Sequence, residues 1–76
     1  MDKYDTQILE IIRDYEEFNG SGIGMSVLDR KFYGVFNFSE AHLTERVIKL
    51  KEYGFIKKSR PYSLSEKGKN YLQSLE

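Results

Sequence analysis

The chain contains no cysteine and no tryptophan, a single proline and a single histidine, and no excess of either charge. Without cysteine there can be no disulfide framework, thiolate zinc site or thiol nucleophile. One histidine leaves no His-x-x-x-His pair for a metal. His42 has only Glu45 and Arg46 within a helical turn, and these form neither a triad nor a ligand set. No enzyme, metal or cofactor is expected. Long apolar runs are missing as well, since none approaches the ~18 residues that span a bilayer. Met1-Asp2-Lys3 leads into no signal-peptide core, so a cytoplasmic protein with no membrane partner is expected. Of the six glycines, three fall in Gly20-Ser21-Gly22-Ile23-Gly24. That stretch has no strand before it and no Gly-Lys-Ser/Thr after it, as a phosphate-cradling loop requires, and reads as a connection in which 23–25 can form a short strand.

What is present fits one small domain. A chain of 76 residues cannot close two cores, and at this size folding removes only about 60% of the unfolded chain's surface from water. The apolar share is 39%, but six Tyr and five Phe enrich it with large side chains, each able to bury much area. The zero net charge conceals a division. Residues 1–45 carry nine acids (Asp2, Asp5, Glu10, Asp14, Glu16, Glu17, Asp29, Glu40, Glu45) and four bases (Lys3, Arg13, Arg30, Lys31), a balance of −5. Residues 46–76 carry eight bases (Arg46, Lys49, Lys51, Lys57, Lys58, Arg60, Lys67, Lys69) and three acids (Glu52, Glu66, Glu76), giving +5. Such asymmetry points the C-terminal half toward a polyanion.

Periodicity supplies the elements. Tyr4, Ile8, Ile11, Ile12, Tyr15 and Phe18 trace one stripe and predict a helix over 4–18, capped by Asp2 or Asp5 and stopped at Asn19-Gly20. Ser26-Val27-Leu28-Asp29 fits a capping box, and Leu28 with Phe32 predicts a second helix over 26–33 that Gly34 ends. Phe32, Tyr33, Phe36 and Phe38 are then the aromatic plug between this helix and the next. Asn37 or Ser39 can cap a third helix over 39–53, with Leu43, Val47 and Leu50 buried and Gly54 at its C-terminus. The extended pieces 55–59 and 62–64, joined by Arg60-Pro61, predict a hairpin over 55–64 with Tyr62 and Leu64 on one side. Ser65 caps a last helix over 65–75, whose apolar side is Tyr71, Leu72 and Leu75 and whose propensity Gly68 lowers.

Two segments add a family resemblance. Leu50-Lys51-Glu52-Tyr53-Gly54-Phe55-Ile56 resembles the Leu-x-x-x-Gly-Leu-Ile junction of winged helix-turn-helix proteins, where a recognition helix stops and the wing begins. Tyr62-Ser63-Leu64-Ser65-Glu66-Lys67-Gly68 is similar to the Tyr-x-Leu-Thr-x-x-Gly segment that leads from the wing into the last helix. Both occur in small MarR-like and PadR-like regulators. The resemblance implies one mainly α domain over 1–76 with a small β-hairpin wing, and sequence-specific binding to double-stranded DNA in transcription regulation.

By that resemblance the helix over 39–53 enters the major groove. Its groove-facing positions are Ser39, Ala41, His42, Thr44 and Glu45, with Lys49 further along. His42 and Thr44 can donate to base acceptors, Ala41 can touch a thymine methyl, and Lys49 can reach a phosphate. In the wing Lys57, Lys58 and Arg60 meet the backbone or minor groove, Arg60 foremost. Glu45 and Glu40 oppose this, because a carboxylate near phosphates is repelled unless it accepts from cytosine. The second reading is a protein-interaction module, with Ile48, Phe36 and Phe38 as its contacts. A homodimer is favoured if DNA is the ligand, through the outer side of the first or last helix, where Tyr4, Tyr15, Tyr71 and Leu75 are available.

Overall fold

The computed structural model describes residues 1–35 and 42–75, which form four helices: α1 (Lys3–Asn19), α2 (Met25–Val35), α3 (Leu43–Glu52) and α4 (Glu66–Ser74). α1 packs against each of the other three. Asp2 caps it by accepting from the Asp5 N–H at 3.0 Å. Gly20, at φ +74°, ends it by donating to Glu16 O at 2.8 Å. Of the apolar stripe read from the sequence, Ile8, Ile11 and Ile12 are in the core and Tyr4 and Tyr15 pack partly against it; Leu9, outside that stripe, is fully buried as well. Phe18 departs from that stripe and stands in solvent.

α2 begins one residue before the expected Ser26 cap. Its first helical hydrogen bond runs from Leu28 N–H to Gly24 O at 3.0 Å, so Ser26 lies inside the helix. Gly34 does not end it either, because the helix continues to Val35. Leu28 and Phe32 are fully buried. The Phe32 ring meets Tyr4 and Tyr33 edge-on, at centroid distances of 6.4 and 5.2 Å. Of the expected aromatic plug, Phe36 and Phe38 lie outside the described residues.

α3 buries Leu43, Val47 and Leu50, the face expected from their spacing. Its start differs from the expected one. His42 is the residue before the helix, in left-handed backbone at φ +54° and without a side-chain cap bond. The Tyr33 hydroxyl instead accepts from Leu43 N–H at 3.4 Å. Asn37 and Ser39, the expected caps, lie outside the described residues. The C-terminus closes as a full Schellman motif. Phe55 N–H donates to Leu50 O at 2.9 Å and Gly54 N–H to Lys51 O at 3.1 Å, with Gly54 at φ +84°. These bonds satisfy carbonyls that a helix end otherwise leaves open.

The expected β-hairpin wing over 55–64 is not formed, and no β-strand occurs among the described residues; only two isolated antiparallel bridges join Ile23 to Tyr62 and Ile56 to Leu64. In an extended segment alternate residues aim their backbone groups to opposite sides. Tyr62 turns both of its groups to Ile23, which donates to it at 2.9 Å and accepts from it at 2.8 Å. Ser63 and Ser65 turn the other way, accepting from Lys57 N–H at 2.9 Å and donating to Phe55 O at 3.2 Å. The segment is thus shared between two neighbours, and each pairing stops after one residue pair. Pro61, which has no N–H to donate, precludes extension back toward Arg60. The fold is therefore all-helical among these residues, with extended connections threaded between the helices.

Tyr62, Leu64 and Ile56 are nevertheless buried, so the connections carry the side-chain role the hairpin was expected to play. Ser65 caps α4 by accepting from Gly68 N–H at 3.2 Å, and its hydroxyl donates to Gly54 O. Leu72 completes the core, while Tyr71 packs partly against it and meets Phe55 at 5.7 Å between ring centroids. No helix among the described residues is long and apolar enough to cross a membrane.

Candidate nucleic-acid interface

Burial of Leu43, Val47 and Leu50 fixes which side of α3 meets solvent. Thr44, Glu45, Ile48, Lys49 and Glu52 are exposed on it, and His42 is exposed at its N-terminal end. Of the groove-facing positions read from the sequence, the structure thus brings His42, Thr44, Glu45 and Lys49 onto one side of the molecule; Ser39 and Ala41 lie outside the described residues. The face is mixed in charge, with Glu45 and Glu52 set against Lys49. Ile48 is 47% exposed in the middle of it.

On one flank α3 adjoins the start of α1, where Asp2, Asp5, His42, Glu45, Arg46 and Lys49 line a shallow recess. Arg46 Nη1 donates to both oxygens of Asp2, at 2.9 and 2.8 Å, and to Asp5 Oδ1 at 3.1 Å. Its guanidinium also lies 4.9 Å from the Tyr4 ring centroid. Arg46 therefore joins α3 to α1 instead of adding a cation to the exposed face, a role its place in the basic half does not reveal. Burial works against the Asp2 charge, but the Asp5 N–H and the Arg46 guanidinium outweigh it and hold its carboxyl below the ordinary value of 3.8. A carboxyl with a lowered folded-state pKa contributes stability that is fully present above its unfolded pKa and is lost as pH falls through the folded one. Melting followed by circular dichroism should show the wild type losing more stability than Asp2→Asn between about pH 5 and about pH 2. Asn keeps the helix cap, so the difference isolates the charge. Solvent screening at Asp2, whose side chain is 52% exposed, keeps it small.

The opposite flank leads to the loop 57–61. Lys57, Lys58 and Arg60 are all exposed there. The Arg60–Pro61 peptide bond is cis. Tyr62 ties the loop to α3, because Lys51 Nζ from α3 lies 5.0 Å from its ring centroid and Arg60 Cζ from the loop 5.9 Å. Lys51 was not among the residues singled out from the sequence. The only signal available was its place in the basic half, since the contact runs between segments far apart along the chain. Lys67 is engaged elsewhere, donating to Tyr53 O at 2.7 Å and lying 4.6 Å from the Phe55 ring centroid.

Among the described residues Arg13 and Arg46 are in ion pairs, and Lys57, Lys58 and Arg60, like Arg30 and the other lysines, have no carboxylate partner. No group of three His, Asp or Glu side chains that could hold a metal occurs among them. The loop thus presents three cations to solvent with the half-buried Lys51 beside them, and the α3 face presents Thr44, Glu45, Lys49 and Glu52 around the exposed Ile48. Comparison with protein-family models, curated proteins and solved structures gives no match for the chain.

Proposed function

We propose that this chain is a small cytoplasmic transcriptional regulator that binds double-stranded DNA in a sequence-specific manner. α3 lies in the major groove, and the basic loop 57–60 rests on the backbone or in the adjoining minor groove. The observation that carries this reading is the exposed loop cluster of Lys57, Lys58 and Arg60, free of carboxylate partners among the described residues and linked through Tyr62 to the end of α3. Three unneutralised cations on one loop suit phosphates. His42 and Thr44, exposed at the N-terminal end of α3, supply donors where a recognition helix meets base edges. The resemblance of residues 50–56 and 62–68 to segments of MarR-like and PadR-like regulators supports the same reading.

The test is fluorescence anisotropy of a mixed-sequence labelled duplex titrated with the protein at ~50 and ~200 mM salt, where phosphate-dominated binding weakens steeply. Binding is expected at the lower salt and a loss of at least about tenfold at the higher. His42→Ala should then change the ranking of duplexes more than the mean affinity. An absence of binding at the lower salt would refute the proposal. It would favour the second reading, a protein partner docking on α3, for which the exposed Ile48 is the specific observation. Phe36 and Phe38, the other contacts of that reading, lie outside the described residues.

A further inference from the structure

Among the described large apolar side chains Phe18 is the most exposed, at 90%, and it sits in the last turn of α1, far along that helix from the Asp2 and Arg46 contact. A groove opens beside it between α1 and α2, lined by Ile11, Asp14, Tyr15, Phe18, Asn19 and Lys31. Ile11 and Tyr15 form its apolar floor while also packing on the core. Its two rims differ in sign. α1 contributes Asp14, whose side chain remains 66% exposed although one oxygen accepts from Arg13 Nε, and α2 contributes the exposed Lys31.

This distribution of charge selects the occupant. A basic or acidic peptide would be matched best by rims of one sign. A surface that meets a copy of itself across a two-fold axis must be self-complementary, with each group facing its counterpart's partner. An acid on the α1 rim and a base on the α2 rim satisfy that condition. We propose that the α1–α2 groove is the interface of a homodimer, in which each Phe18 ring covers Ile11 and Tyr15 of the second copy and Asp14 of each copy pairs with Lys31 of the other. The interface does not rest on DNA binding and can be tested without DNA. It keeps the first helix and Tyr15 from the expectation drawn from the sequence, but not Tyr4, Tyr71 or Leu75, which do not line the groove.

Sedimentation equilibrium of the full chain over ~1 to ~300 μM at ~150 mM salt is the test, with a dimer dissociation constant below about 50 μM expected for a small specific interface. Phe18→Ser removes the central apolar contact and should weaken the dimer at least about 30-fold. Circular dichroism should show an unchanged fold, because the side chain lies outside the core. Asp14→Lys and Lys31→Asp should each weaken the dimer about tenfold by placing like charges together, and the double exchange should restore it to within about threefold of wild type. A wild type that stays monomeric throughout, a dimer indifferent to Phe18→Ser, single exchanges without effect, or a double exchange that fails to restore association would each overturn the proposal.

Discussion

Gly68→Ala should lower the stability of the domain by about 3 kcal/mol, although alanine is the better helix former by about 1 kcal/mol. A β-carbon at this position in α4 would lie 2.3 Å from Phe55 O and 3.3 Å from Phe55 C. The obstacle is backbone, and it is bonded on both sides. Phe55 N–H is held by Leu50 O at the end of α3, and Phe55 O accepts from Ser65 N–H at the start of α4. Relief of the overlap would need α4 to move away from residue 55, which would open the packing of Leu72 and Leu64 and strain the Ser65 cap. Gly34 in α2 is the contrast. An added β-carbon there meets nothing within 4 Å, so alanine should stabilise by about 0.5 kcal/mol through propensity alone. Thermal melting of the two variants should therefore move in opposite directions, with a fall of about 12–20 °C for Gly68→Ala in a domain this small. A melting temperature for Gly68→Ala within a few degrees of wild type would show that α4 does not approach residue 55 as closely as the geometry requires.

Gly68 also marks where sequence reasoning stops. Its composition signal is a weakened helix, and the reason for tolerating that weakness is a contact with a carbonyl thirteen residues earlier in the chain. The elements that were legible are those whose cause is local. The four-three spacing of apolar residues in α1, the Asp2 cap, the Gly20 and Gly54 stops and the Ser65 cap all depend on neighbours within a turn or two. At the start of α3 and in the segment 55–64 tertiary partners intervene instead. The Tyr33 hydroxyl, ten residues away, meets the first N–H of α3. The β-propensity of 55–59 and 62–64 is satisfied by burial of Ile56, Tyr62 and Leu64, but Ile23 takes the backbone groups of Tyr62 that a longer ladder would have needed.

The candidate site divides in the same way. Exposure of Lys57, Lys58 and Arg60 follows from three cations crowded beside a proline, and exposure of Thr44, Glu45 and Lys49 follows from the buried spacing of Leu43, Val47 and Leu50. Neither inference needs knowledge of a distant partner. Arg46 and Lys67 could not be sorted from the other bases in this way. Arg46 is fixed by carboxylates more than forty residues away, and Lys67 by a backbone oxygen and a ring from the end of α3. Setting these two aside leaves Lys57, Lys58 and Arg60 on the loop, with Lys51 at its α3 border, Lys49 on the opposite flank of α3 and Lys69 exposed on α4.

Charge reversal in the loop, Lys58→Glu with Arg60→Glu, should therefore weaken binding to every duplex about 100-fold at ~50 mM salt and reduce the salt slope by about 2, the contribution of two phosphate contacts. The fold should persist, because both side chains are exposed and Tyr62 keeps its backbone bonds to Ile23 and the Lys51 ammonium over its ring. The variant shifts the net charge from 0 to −4, so a general loss of attraction must be separated from a local one. Reversing Lys3 and Arg30, exposed on α1 and α2, makes the same change in net charge away from the loop. That control should weaken binding only a few-fold, about what long-range steering contributes at this ionic strength. Equal losses in the two variants would remove the loop from the interface and leave only non-specific attraction. A loss confined to the loop variant and uniform across duplexes would place Lys58 and Arg60 on phosphates. A loss that differed among sequences would place Arg60 in a groove, where the width of the minor groove makes a cation sensitive to sequence.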